Sequence, residues 1–271
     1  MSSLKAANIS VERHLVTSLF LKREVLVDLY FPPQKTSHKN LSLLLINDGQ
    51  DLVTMQFEDI LDDLYENGSI HNLFCVGIHC STDRKNEYGT ARYLDYKGRG
   101  ARAGLYNRFI LEELMPYIRS TLVIYSFKEK CFAGFSLGGL CALDMVWNHP
   151  LEFNKVGVFS GSLWWRDKDQ DDPDFDENVN RIMHRQVIED ENFYPWLQFF
   201  FEVGTLDETA DRNNNGIIDA IDDTQSLIDL LVKKGYDREE SIKYLELNEG
   251  RHDVPTWAIA FPDFLKWGWG R

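Results

Sequence analysis

The chain has 271 residues, 44% of them hydrophobic and 27% charged, enough for one large domain with a deep core and unlike a disordered or collagen-like chain. Its 43 acidic and 29 basic side chains give a formal net charge of −14, which disfavours nucleic acid and anionic membrane surfaces as partners. No apolar stretch reaches the roughly 18 residues of a membrane span, and the first twenty residues, with Lys5, Glu12, Arg13 and His14, lack the layout of a secretory signal, so a cytoplasmic location is expected.

Taken in chain order, residues 9–21, 23–31 and 41–46 are rich in β-branched or large apolar side chains and read as three strands, the second closed by Pro32 and Pro33. Val53, Phe57, Ile60, Leu61 and Leu64 recur at helical spacing and predict a helix over 52–67, stopped by Asn67 and Gly68. A buried-type strand over 73–78 precedes a helix over 105–120, and a strand over 131–135 runs into a helix over 137–148, ended before Pro150. Strands over 156–160, 197–203 and 242–247 then alternate with helices over 224–234 and 254–267. This alternation predicts an α/β fold, with a mostly parallel central sheet, an antiparallel N-terminal edge and helices on both faces.

No repeat or Gly/Pro-rich linker divides the chain, so one domain spanning 1–271 is expected. Residues 164–195 interrupt the alternation: after two tryptophans they are acidic and polar, with a short helix near 178–188, and they read as a cap or lid insertion. Cys75, Cys80, Cys131 and Cys141 sit in or beside apolar runs without CxxC spacing and read as free thiols.

Gly134-Phe135-Ser136-Leu137-Gly138 fits GxSxG, preceded by a strand and followed by a helix. A serine at so sharp a turn is thrust out of the backbone, and the glycines let neighbouring chain approach without a Cβ clash. The helix start aims free N–H groups at the point where negative charge develops during attack. A hydroxyl needs a base, and the base needs an orienting acid. His252, after the last strand and before the terminal helix, is the best placed of seven histidines; His79 and His149 are worse placed, and His14, His38, His71 and His184 read as surface or structural. Asp207, in the loop after the 197–203 strand, completes the chain order Ser, Asp, His, with Glu208 as its main competitor. The second oxyanion donor, beside the Leu137 amide, is expected from the loop after the third strand, where Gly49 permits a tight turn and turns the Gln50 amide inward.

These residues resemble the putative esterase family of α/β-hydrolases, which includes enterochelin esterase, esterase D and some feruloyl and acetylxylan esterases. The likeness is carried by residues 44–50, 84–88, 134–139 and 160–165, by the Gly204-Thr205-Leu206-Asp207 loop and by residues 252–257. It implies an α/β-hydrolase fold and carboxylic ester hydrolysis through an acyl-enzyme. Ser136, Asp207 and His252 would form the triad, Gln50 and Leu137 the oxyanion hole. The resemblance also brings Arg84 and Glu87 near the site, and Trp164 and Trp165 are candidates to line a substrate pocket for a small ester of siderophore, sugar-linked or feruloyl type. Members near enterochelin esterase often carry glutamate where Asp207 stands, so the family leaves the identity of the acid open.

A second pattern lies in the 208–223 insertion. Asp211, Asn213, Asn215, Asp219 and Asp222 occupy positions 1, 3, 5, 9 and 12 of an EF-hand-like loop, with Gly216 at 6 and the Ile217 carbonyl at 7. Asp222 closes the loop where many EF-hands have glutamate, as in dockerin modules, which it resembles. A structural calcium ion is the expected cofactor, with no organic one. Two rival functions remain at this level: an acyltransferase on the same triad, and a non-catalytic calcium-dependent carbohydrate-binding protein.

Overall fold

The computed structural model describes residues 9–33 and 40–271; residues 1–8, with Lys5, and 34–39, with His38, lie outside the described residues. Strands β1 (Ser10–Ser18) and β2 (Arg23–Phe31) form a hairpin, and β3 (Ser42–Asn47) leads through a 3-10 turn over Gly49–Leu52 to α1 (Phe57–Glu66). After β4 (Leu73–Ile78) come α2 (Arg84–Glu87), α3 (Ala103–Arg108), a π-helical stretch over Phe109–Leu114 and α4 (Met115–Leu122). β5 (Lys130–Phe135) passes into α5 (Leu137–Asn148), and β6 (Lys155–Phe159) is followed by α6 (Glu177–Asn180) and α7 (Ile182–Glu189). β7 (Gln198–Leu206), α8 (Asp219–Lys234), β8 (Ile242–Arg251) and α9 (Val254–Trp269) complete the chain.

The eight strands form one sheet in the order β1-β2-β4-β3-β5-β6-β7-β8. β1–β2 and β2–β4 pair antiparallel, and every pair from β4–β3 to β7–β8 is parallel. Alternate side chains feed two cores. Leu43 and Leu45 of β3 face a cluster with α3, α4, α5, α7 and α8, whereas Leu44 and Ile46 face one built on α1 and α9. On the second face Phe135, Phe159, Phe261 and Phe264 pack ring on ring. Gly157 lets α9 settle there, since a Cβ at that position would lie 2.6 Å from the Phe264 ring.

The helix expected over 105–120 spans Ala103 to Leu122 but widens into π turns over Phe109–Leu114. Pro116 cannot donate to the carbonyl four residues back, and the looser turns before it absorb the missing bond. The 52–67 helix begins only at Phe57, because a separate 3-10 turn takes residues 49–52. The 164–195 segment packs closely: Trp165, Ile182, Met183 and Val187 are buried in the first core, and Arg166 bridges to Arg181. The four cysteines are free, Cys80 half-buried and the others buried. Among the described residues no helix is long and apolar enough to cross a membrane.

Candidate active site

Ser136 occupies the junction of β5 and α5 with φ 55 and ψ −122, a backbone state that costs a non-glycine residue of order 1–3 kcal/mol. The turn is kept by contacts on both sides. Ser136 N–H donates to the Phe159 carbonyl (2.8 Å), and the Ser136 carbonyl accepts from Gly139 N–H (3.0 Å) and Ser162 N–H (3.1 Å). A Cβ on Gly134 would come within 2.4 Å of the Gly138 carbonyl oxygen, so only glycine allows the strand and helix start to meet. The Ser136 hydroxyl lies 3.4 Å from Ser162 Oγ and opens into a cavity of about 280 Å³ that is also lined by Trp164, Asp207, Glu208 and His252.

The cavity gathers its acid and histidine from two neighbouring strand ends. β7 runs to Leu206 and β8 to Arg251, both beyond their expected limits, so Asp207 and His252 each follow directly on a strand. The two strands close up at a bulge where a Cβ on Gly204 would lie 2.3 Å from the Gly250 carbonyl. His252 Nδ1 stands 3.8 Å from Asp207 Oδ2, with Asp207 sealed (1% exposed) and His252 open to solvent (41%). Asp253 caps α9 by accepting from Thr256 N–H at 3.0 Å, and Trp257 meets the imidazole edge-on with centroids 5.5 Å apart. Trp257 in turn donates to Ser160 Oγ (2.9 Å). Glu208 lines the same cavity, its pKa raised by burial. Two other histidines are occupied elsewhere: His79 binds Asp28 at 2.7 Å, and His184 is buried beside Ser226 and the Asp223 carbonyl.

Gln50 and Leu137 are the second and first residues of the 3-10 turn and of α5, positions whose amides have no acceptor within their own helices. The surrounding side chains depart from expectation. Arg84 does not face the cavity: it grips Asp48 through two 2.7 Å bonds. Glu87 is fully buried, held by Arg23 at 2.7 and 3.0 Å and by Ser81, and so cannot touch a substrate here. Trp165 is likewise buried, whereas Trp164 reaches the cavity wall. The physical reason is that an ionised carboxylate so deep in the protein needs a cation, and Asp48 and Glu87 take the nearest arginines. Asp48, Ser160 and Ser162 lie in stretches that carried the resemblance but were given no role in the site by the sequence. The Ser160-Gly161-Ser162 run after β6 was the available signal for the last two.

In the 208–223 segment Asp211 accepts from the amides of Asn215 (3.1 Å) and Gly216 (2.9 Å), while Asp222 accepts from the side chains of Asn213 (2.8 Å) and Asn215 (2.7 Å). Asp219 and Asp222 lie in the first turn of α8, which starts five residues before the expected 224, and Asp219 accepts from the Arg212 amide (2.8 Å). Among the described residues no three His, Cys, Asp or Glu side chains are grouped to hold a metal ion.

Comparison with known proteins gives this geometry its family. An uncharacterised protein of Bacillus subtilis, YbbA, is 22% identical over 252 residues, covering 90% of this chain and 92% of that protein. The enterobactin esterase FES from Shigella flexneri superposes with a TM-score of 0.71 at 20% identity, over 96% of this chain, which spans about 59% of that longer protein. An IroE-like serine hydrolase from Shewanella oneidensis gives 0.70 at 20% identity, covering 95% and 79% of the two chains, and the siderophore hydrolase EstB from Aspergillus nidulans gives 0.68 at 17%, covering 98% and 96%. With the model of the putative esterase family matching residues 18–267, the chain belongs to that family and is an ester hydrolase of the α/β-hydrolase fold.

Proposed function

We propose that the protein cleaves small carboxylic esters through an acyl-enzyme on Ser136, with His252 as general base and Asp207 orienting it. The observation that carries this reading is the placement of a strained, outward-turned serine in one cavity with a solvent-open histidine and a sealed carboxylate. His252 takes the Ser136 proton as the hydroxyl attacks the ester carbonyl. The new oxyanion enters the amides of Gln50 and Leu137, and the imidazolium returns its proton to the departing alcohol. Water, activated by the same imidazole, then releases the acid. Ser136 Oγ at 3.4 Å from Ser162 Oγ and His252 Nδ1 at 3.8 Å from Asp207 Oδ2 are loose contacts, and this reading has substrate draw serine and imidazole into bonding range.

The relatives named as enterobactin esterase and siderophore hydrolase, with Trp164 on the cavity wall, support substrates of siderophore, sugar-linked or feruloyl type. The test is a panel of p-nitrophenyl, feruloyl and catecholate esters against the wild type and Ser136→Ala, beside labelling by a fluorophosphonate. Labelling confined to Ser136, with hydrolysis lost in the variant, is the expected result; hydrolysis that survives in Ser136→Ala sinks the mechanism.

We also propose a structural calcium ion in the Asp211–Asp222 loop, held by the side-chain oxygens of Asp211, Asn213, Asn215 and Asp222, the Ile217 carbonyl and Asp219. The bonds of Asn213 and Asn215 to Asp222, and of the Asn215 amide to Asp211, which draw these residues into one turn, support it. Calcium should raise the melting temperature and a chelator reverse it; an identical melt in both conditions removes the ion.

A further inference from the structure

Asp48 is an odd residue to find beside an oxyanion hole. It lies between β3 and the 3-10 turn that carries Gln50, in the left-handed region with φ 59, and its side chain is only 2% exposed. A Cβ on Gly138, two residues beyond the nucleophile, would come within 2.6 Å of Asp48 Oδ2. A bare carboxylate there would repel the negative charge that ester attack creates, most strongly where water is excluded.

Arg84 removes that difficulty and ties the surrounding parts together. Its Nε and Nη2 each lie 2.7 Å from the two Asp48 oxygens, a fork matched to a carboxylate, and Nη2 also reaches the Phe135 carbonyl at 3.3 Å, the residue before Ser136. Tyr88, under the guanidinium at 5.1 Å, accepts from the Asp48 amide through its hydroxyl at 3.2 Å. On the other side Asn47 Nδ2 donates to the Gly138 carbonyl at 2.8 Å. The Gln50 side chain is pinned between Asp48 (3.4 Å) and the Cys80 amide (3.1 Å). Burial works against the Arg84 cation, but the bonds and charge of Asp48 outweigh it, so its pKa lies above the ordinary value and it stays charged.

We infer that Arg84 is a positioning residue for the reaction: by clamping Asp48 to the Phe135 carbonyl it fixes the Gln50 amide against the nucleophile elbow and offsets the Asp48 charge beside the oxyanion hole. It acts through Asp48 and does not itself contact substrate. This deepens the proposed ester hydrolysis and rests on that reading. It also assigns Arg84 a role different from a cation that binds the acid part of a substrate.

The test uses Arg84→Lys as its main variant, because Arg84→Ala leaves a buried carboxylate alone and risks misfolding. Lysine keeps the charge but cannot bridge two oxygens and a carbonyl in one plane. Arg84→Lys and Asp48→Asn are compared with wild type for kcat and KM on a neutral and an anionic p-nitrophenyl ester, for inhibition by a trifluoromethyl ketone, and for melting temperature. We expect kcat to fall about 10²-fold in Arg84→Lys on both esters, with KM unchanged and with ketone inhibition weakened by the same factor. A loss confined to the anionic ester and expressed in KM overturns the clamp and makes Arg84 a substrate contact. Full activity in folded Arg84→Lys, with or without a lower melting temperature, overturns it as well. Ser136→Ala separates the two layers: if it is inactive while Arg84→Lys is intact, only the clamp falls. If it remains active, the mechanism falls and takes the clamp with it.

Discussion

A carboxylate sealed from water with neither oxygen hydrogen-bonded is an unfavourable thing to build, and Asp207 is in that state beneath His252. The arrangement makes sense if its partner is the imidazolium that forms during attack, because the pair then gains most where the reaction needs it. Asp207→Asn should therefore lower kcat by on the order of 10³- to 10⁴-fold with KM little changed, while Glu208→Gln stays near wild type. Steady-state kinetics on one ester settle it, and the reverse ranking would hand the acid role to Glu208. Glu202, on the same strand, is also buried with both oxygens unpartnered. Burial first, and then repulsion from Asp207, push its pKa up from 4.5 to about 8. The folded state thus holds a proton that the unfolded chain gives up near pH 4.5, so this residue's contribution to stability falls as pH rises from about 4.5 to about 8. Asp144 acts in the same sense from 3.8 to about 6, with burial as the leading cause. Glu202→Gln should gain on wild type in that window as pH rises; parallel denaturation midpoints from pH 5 to 8 would show that Glu202 is already charged in the fold.

At the scale of elements, the meeting of β7 and β8 sets the distance between the acid and the histidine. Their backbones approach so closely at Gly204 and Gly250 that Gly204→Ala must push them apart, since its Cβ would sit 2.3 Å from Gly250 and 2.8 Å from Asp207 Oδ1. We expect a loss of about 1–3 kcal/mol in stability and a fall in kcat at temperatures where the protein remains folded, read from chemical denaturation and kinetics together. Unchanged kcat in the folded variant would detach the bulge from catalysis. The same region shows where the sequence was legible and where it was not. Leu73–Ile78 and Arg23–Phe31 coincide with their apolar runs because strand and burial end together there. The ends of β7 and β8 were missed because pairing resumes at Leu206 and Arg251 only after a bulge that takes in the polar residues Thr205, Asn248 and Glu249, where hydrophobic patterning has already stopped. GxSxG was readable since its steric demands are local. The Asp48–Arg84 pair spans 36 positions and needs two loops brought together by the β4–β3–β5 order, which no local pattern encodes.

Across the whole molecule, the parallel strands bring the Ser136, Asp207, His252 and Gln50 loops to one edge of the sheet, and Trp164, at the start of the 164–195 segment, lines the cavity there. Whether this segment moves or belongs to the rigid body turns on its anchor. Arg181, 6% exposed, binds Asp223 of α8 at 2.6 Å, and Asp223, 1% exposed, is also paired with Arg212 from the 208–223 loop. Glu177 reaches both arginines, at 3.5 and 2.7 Å. One buried carboxylate thus joins the 164–195 segment, α8 and the loop that follows Asp207. Removing it leaves Arg181 with the partly exposed Glu177 and Arg212 with Glu177 and Asp219 (3.3 Å), and breaking a buried pair in this way costs about 3–5 kcal/mol. In a chain of this size each kcal/mol moves the melting temperature by about 2–4 °C, so Asp223→Ala should melt on the order of 10 °C lower as a single cooperative transition. A segment docked as an independent lid would behave otherwise: Asp223→Ala would then alter ester turnover while calorimetry showed the main transition unmoved.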